Sequence, residues 1–175
     1  MRLPHAPRRA ARIVTAFAVA AALLGGCGSD SPTTTIRDVP FTGADGKPVT
    51  IADFDGAPLV INMWATWCKP CVHEMPAFDE VAREQTSVRI IGVNIFDTPE
   101  DARTFAADLG VQYPQYTDPD GVLSTALDVS GYPATAFFDS DGKLLELHQG
   151  QLTADELRSS IARLYPGVTT EGTKS

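Results

Sequence analysis

Two cysteines separated by two residues, Cys68-Lys69-Pro70-Cys71, are the part of this chain best equipped for chemistry. A thiolate is a nucleophile, and a second thiol at this spacing can displace whatever the first has bound. The pair could therefore cycle between dithiol and disulfide. The same residues could instead be half of a zinc site. Zinc wants four ligands, and the chain adds only Cys27, His5, His73 and His148, none at ligand spacing to a second partner, so no metal is expected. A purely structural disulfide is the other alternative. It closes too short a loop to stabilise much and leaves the flanking tryptophan and proline unexplained.

The elements around the pair are readable. Leu59 to Trp64 is a short apolar run preceded by Gly56-Ala57-Pro58, which predicts a buried strand. From Cys68 to about Glu84, the residues Val72, Met75, Phe78, Asp79 and Ala82 recur at helical spacing. A strand entering a helix through this turn puts Cys68 at the helix N-terminus, where the macrodipole favours a thiolate. Lys69 adds a neighbouring cation.

The octapeptide Trp64-Ala65-Thr66-Trp67-Cys68-Lys69-Pro70-Cys71, followed by Glu74-Met75-Pro76, resembles the active site of thioredoxin-like proteins, in their TlpA/ResA-type extracytoplasmic branch. The likeness runs from about Phe41 to Tyr165. It implies an α/β thioredoxin-like fold: a central mixed sheet flanked by helices, with an N-terminal β-hairpin and a central βα insertion. It also implies that Cys68 attacks a client disulfide and Cys71 resolves the mixed disulfide, with no cofactor beyond that pair. Trp67, Lys69, Pro70, Tyr132 and Pro133 would form the active-site and client-binding loops, Trp67 shielding Cys68. Pro133, in Gly131-Tyr132-Pro133, matches the family's cis-proline, although most X-Pro bonds are trans. Tyr132 departs from the threonine or valine often found there. In thioredoxin an aspartate on the central strand accepts the resolving thiol's proton. Asn62 stands at that position here and cannot do so, which leaves Asp97 and Glu74 as candidate acceptors. The plainer readings are a helix-entry acid for Asp97 and a solvated surface charge for Glu74. His73 and His148 read as surface histidines.

The remaining chain fits one such domain. Val39-Pro40-Phe41 and Val49-Thr50-Ile51 bracket a turn, predicting two short strands. Ser87 to Ile95 predicts a second buried strand. Thr98-Pro99-Glu100-Asp101 opens a helix that Gly110 stops, a βαβ unit being completed by a short strand at Gln115. A short helix covers Val122 to Leu127. Ala134 to Phe138 and Leu144 to His148 predict a hairpin. Thr153 with Glu156 is a capping box for the last helix, whose inner stripe is Leu157, Ile161 and Leu164.

The N-terminus has four arginines and no acid, then an apolar stretch from Ile13 to Leu24, which predicts a secretory signal over 1–26. Leu24-Gly25-Gly26-Cys27 resembles a bacterial lipobox, which implies lipidation of Cys27. A polar tether is expected over 27–37, the domain over 38–166 and a disordered tail over 167–175. Removing the signal takes four of the 14 basic residues and none of the 22 acidic, so the charge moves from −8 to −12. That excludes a nucleic-acid partner and means only a covalent anchor would hold the domain at an anionic membrane. The expected partners are protein thiols and disulfides and a membrane redox protein, met by a monomer on the outer face of the cytoplasmic membrane. Clients would be exported proteins, apocytochrome c or oxidative-folding substrates among them. A peroxiredoxin-like peroxidase would carry Thr-x-x-Cys, and Thr66 is not at that spacing from Cys68. A Sco-type copper chaperone would want a wider cysteine spacing and a histidine earlier than His148.

Overall fold

A computed structural model describes residues 35–168. The expected signal over 1–26, Cys27, most of the tether and nearly all of the tail lie outside them. Along the chain run β1 (Phe41–Thr42), β2 (Pro48–Val49), β3 (Leu59–Trp64), α1 (Lys69–Glu84), β4 (Arg89–Ile95), α2 (Pro99–Leu109), β5 (Gln115–Asp118), α3 (Val122–Ala126), β6 (Ala134–Phe138), β7 (Leu144–Gln149) and α4 (Ala154–Leu164). The strands form one mixed sheet in the order β2-β1-β5-β4-β3-β6-β7.

β3 is central because every residue in it is apolar or finds a buried partner. It pairs parallel with β4, Leu59 opposite Arg89 through Trp64 opposite Asn94, and antiparallel with β6. Its alternate residues feed two cores. Leu59, Ile61 and Met63 pack with Ile91, Val93, Ala136 and Phe138 on one face. Val60 packs with Phe78, Phe137, Leu157 and Ile161 under α1 and α4 on the other. A strand covered on both faces needs a continuous apolar run, which is what Leu59 to Trp64 supplies.

The helix starts follow local rules. Thr98 accepts from Asp101 N–H at 3.1 Å, and Gly110 ends α2 in the left-handed conformation at φ 78°. Thr153 and Glu156 form the expected capping box. Asp79, on the inner face of α1, accepts from the backbone N–H of Gln112 at 2.6 Å and Tyr113 at 3.0 Å, which fastens α1 to the connection between α2 and β5.

Several boundaries differ from the sequence expectation. Ile51 is not in a strand: Thr50 and Asp53 make a capping box that turns Ile51–Phe54 into a 3-10 turn. Val39 precedes β1 instead of joining it. β4 starts at Arg89, whose N–H bonds Pro58 O at 2.9 Å, so Ser87 and Val88 stay outside the ladder. The polar tether ends sooner than expected: Ile36–Asp38 is a 3-10 turn, Ile36 packs on the first core and Arg37 pairs with Asp55. At the other end Val168 packs on the second core.

Candidate active site

The end of β3 and the start of α1 bring the cysteines together. Cys68 is the N-cap of α1, with Lys69 and Pro70 as its first two residues, and it is disulfide-bonded to Cys71. Cys71 N–H points at Cys68 Sγ, 3.3 Å away. In the reduced state that orphan donor and the helix macrodipole would favour a thiolate on Cys68. Cys71 is fully buried, whereas Cys68 keeps 5 % of its surface, so of the two cysteines only Cys68 has any exposure.

Asp97, on the β4–α2 connection, braces the turn from behind. Its carboxylate accepts from Thr66 N–H, Thr66 Oγ1 and Asn94 Nδ2, each at 2.8 Å. Both oxygens are thereby committed to holding the loop two residues before Cys68.

Beside Cys68 lies an aromatic rim. The Tyr132–Pro133 bond is cis, and Tyr132 packs against the cluster that holds both cysteines. Its ring meets Trp67 and Phe96 edge-on at 6.0 and 6.2 Å, and its hydroxyl pairs with Ser124 Oγ. Trp67 is 60 % exposed and Phe96 53 %. Trp67 therefore stands open to solvent beside Cys68, while Trp64 is the buried tryptophan and donates Nε1–H to Gln115 Oε1 at 2.9 Å. Phe96 has a left-handed φ of 67°, unusual for an aromatic residue. Its ring lies over Gly121, where an added Cβ would sit 2.3 Å from Phe96 Cε1. Only glycine leaves room for it.

Beneath the pair, Glu74 is 1 % exposed, which overturns its reading as a solvated surface charge. It follows Cys71 by one helical turn on the inward stripe of α1. Asn62 Nδ2 donates to its Oε1 at 2.6 Å and Leu152 N–H to its Oε2 at 2.9 Å. Asn62 Oδ1 accepts in turn from Tyr113 O–H at 2.9 Å. Burial pushes the Glu74 carboxyl up to about 7, and the two hydrogen bonds only partly oppose it.

The structure thus gathers Trp67, Cys68, Cys71 and Tyr132 at one end of the sheet, with Pro133 next in chain. Glu74 lies behind the pair and Asp97 beside its loop. Lys69 and His73 face solvent, and His148 is half-buried. Phe96, Tyr113 and Leu152 were not foreseen. Nothing in their local sequence marks them, since they arrive from other elements. Glu74 did carry a signal: Cys71, Glu74, Met75 and Phe78 fall at i, i+3, i+4 and i+7, one stripe of a helix. Among the described residues no group of three or more His, Cys, Asp or Glu could hold a metal ion, and no helix is long and apolar enough to cross a membrane.

Comparison with known proteins agrees with this geometry. Residues 28–163 match the Redoxin family model. The chain is 34 % identical over 131 residues to the thiol:disulfide interchange protein HelX of Rhodobacter capsulatus, covering 74 % of this chain and 69 % of HelX. It is 29 % identical over 144 residues to the thiol-disulfide oxidoreductase ResA of Bacillus subtilis, covering 81 % and 78 %. Among solved structures, MTB dsbF superposes with a TM-score of 0.68 at 28 % identity, over 74 % of this chain and 96 % of dsbF. The chain therefore belongs to the Redoxin family and is a thiol–disulfide oxidoreductase of thioredoxin-like fold.

Proposed function

We propose that this protein exchanges a Cys68–Cys71 dithiol/disulfide with cysteines of exported proteins, while lipidated Cys27 tethers it to the outer face of the cytoplasmic membrane. The observation that carries the exchange reading is the inequality of the two cysteines: Cys68 at a helix N-terminus with 5 % of its surface exposed, Cys71 fully buried one helical turn before buried Glu74. In the reducing direction, the Cys68 thiolate attacks a client disulfide and releases one client thiolate. The Cys71 thiol then gives its proton to Glu74 and attacks Cys68 Sγ. The Cys68–client bond breaks, the enzyme disulfide forms and the second client thiolate leaves. The oxidising direction is the reverse, and the reduction potential of the pair decides between them.

Glu74 is favoured over Asp97 as acceptor. Its carboxyl titrates near working pH and lies one turn from Cys71, whereas both Asp97 oxygens hold Thr66 and Asn94. The aromatic rim of Trp67, Tyr132 and Phe96 would grip an extended client segment beside its cysteine.

Trapping tests the mechanism. Cys71→Ser should accumulate a mixed disulfide between Cys68 and client protein, and Cys68→Ser should form none. Normal turnover by either single variant would remove the dithiol mechanism. Anchoring is tested separately, because Cys27→Ala should leave the domain active but release it from membranes or block its maturation.

A further inference from the structure

We propose that Ser124 is a positioning residue for client binding: its buried hydroxyl pins the Tyr132 ring, so that the aromatic rim beside Cys68 is assembled before a client arrives. The inference rests on the exchange with protein clients proposed above. Tyr132 packs against both the cysteine cluster and the first core, yet stays only half-buried. Its ring meets Trp67 and Phe96, both more than half exposed, at 6.0 and 6.2 Å. A half-buried ring keeps rotamer freedom unless its polar end is held. Ser124 Oγ holds it, and this is the one hydrogen bond of the Tyr132 side chain among the described residues.

Ser124 can act as a pin because its own place is fixed. It lies on α3 and is 3 % exposed. Leu123 beside it and Leu127 beyond the helix end belong to the first core. Asp118, the last residue of β5, fastens the same turn to the sheet. One of its carboxylate oxygens accepts from Val122 N–H at 2.9 Å. The other accepts from Leu123 N–H at 3.0 Å and Ser124 N–H at 3.2 Å. The backbone that carries the pin is thus bonded directly to the end of a strand.

The same aspartate holds a second ring of the rim. Asp118 O accepts from Phe96 N–H at 3.4 Å and from Gly121 N–H at 3.0 Å. The Phe96 ring lies against Gly121, where an added Cβ would meet it. Phe96 and Tyr132 come from different connections of the chain, yet both are referred to the turn 118–124. Phe96 reaches it through its backbone and Gly121, Tyr132 through Ser124. One anchor therefore sets the spacing of two rim rings, and the Ser124 hydroxyl is the link that a single substitution can remove without touching Phe96 or either cysteine.

The residue type points the same way. Alanine is a better helix former than serine and would suit a buried helical position. A helical serine commonly turns its hydroxyl to solvent or back to the preceding turn. Here it turns to Tyr132, which arrives from the connection between α3 and β6. A client met by a ring already in place is bound without the entropy loss of ordering that ring. Removing the pin should therefore weaken client capture more than it slows the exchange that follows.

The test mixes reduced full chain with rising concentrations of a peptide that carries a fluorophore and a quencher on the two sides of its disulfide, and follows a single turnover. Ser124→Ala should raise the half-saturating peptide concentration by about 2–10-fold, the worth of ordering one side chain, with much less change in the maximal rate. Tyr132→Phe removes the same hydrogen bond from the other side and should do the same, which keeps the test open if Ser124→Ala folds poorly. The double variant should be no worse than either single one, since only one bond is there to lose. Unchanged half-saturation in both single variants, a loss of thermal stability alone, or additive effects in the double variant would overturn the positioning role. Tyr132→Ala separates this inference from the reading beneath it. If Tyr132→Ala weakens capture while Ser124→Ala and Tyr132→Phe do not, the rim stands and the pin fails. If Tyr132→Ala changes nothing, or the wild type does not cleave the peptide, the client-binding reading fails and takes the pin with it.

Discussion

Asn62 Nδ2 donates to Glu74 Oε1 at 2.6 Å, across the interface between the central strand and the helix that carries the cysteines. The amide gives the buried carboxylate a donor without adding a second titrating group. An aspartate at position 62 would place two carboxyls side by side, and their titrations would couple. With asparagine there, Glu74 is the one acid at that contact, and its behaviour can be predicted singly.

Glu74 should make stability fall as pH rises. Its folded value of about 7 lies above the ordinary 4.5, so the folded state binds the proton more tightly than the unfolded chain. The resulting stabilisation is fully present below about pH 4.5 and is lost as pH rises through 7. The shift corresponds to roughly 3 kcal/mol. Glu74→Gln, neutral at every pH, should match the wild type near pH 4 and exceed it at pH 8. Urea midpoints of the oxidised protein, in which the cysteines do not titrate, measure this. Parallel pH profiles for the two proteins would show that Glu74 is ionised at neutral pH.

Asp97 should behave as a brace. Asp97→Asn keeps an oxygen for Thr66 N–H and an amide that can meet Thr66 Oγ1. With excess dithiobis-nitrobenzoate, both releases of thionitrobenzoate, the first from attack by Cys68 and the second from resolution by Cys71, should therefore stay within a few-fold of wild type. Asp97→Ala strands the Thr66 N–H and the Asn94 amide, at a cost of about 1–3 kcal/mol for each group left unsatisfied. It should lower thermal stability and slow attack by Cys68. Slow resolution with normal attack in Asp97→Asn would return the acceptor role to Asp97.

Gly92 has a packing reason that its place in a buried strand hides. Gln115 lies over it, and a Cβ at position 92 would sit 2.2 Å from Gln115 Oε1, the atom that accepts from Trp64 Nε1–H. Gly92→Ala should evict the Gln115 amide and leave the indole N–H unpaired in a buried site, at a cost of about 1–3 kcal/mol. If that is the mechanism, Gly92→Ala should cost much less in a Gln115→Ala background. A double-mutant cycle by denaturant unfolding reads the difference, and additive costs would mean the alanine acts elsewhere.

Signals that are local in the chain were legible before the fold was known. Leu59–Trp64 announces a buried strand by its composition, and Thr98-Pro99 with Gly110, or Thr153 with Glu156, announces helix ends by capping chemistry. The cysteine pair and Pro133 were legible through a resemblance. The surroundings of Glu74 were not, because they come from far away: Leu152, which donates to it, is 78 positions on, and Tyr113 is 51 from Asn62, the residue that bonds both Tyr113 and Glu74. Phe96 was missed for a similar reason. An aromatic residue after a strand reads as core, and only the left-handed turn at that position lifts it onto the rim.

Phe96 gives the last prediction. Its backbone is held in a conformation that costs a bulky residue about 1–3 kcal/mol, and its ring is more than half exposed, so burial does not repay the strain. Among the described residues its one aromatic partner is Tyr132, in an edge-on contact beside the cysteines. Strain without a stabilising return is expected where the ring serves a client. Phe96→Gly removes the ring and relaxes the backbone together. Thermal stability should hold or rise, because the relief offsets the lost contact with Tyr132. The KM for disulfide-bonded peptides should rise by about 2–10-fold, the worth of an aromatic contact of about 0.5–1.5 kcal/mol. Turnover of hydroxyethyl disulfide, too small to reach the rim, should not change. Loss of stability with an unchanged peptide KM would make Phe96 a structural residue that merely covers Gly121.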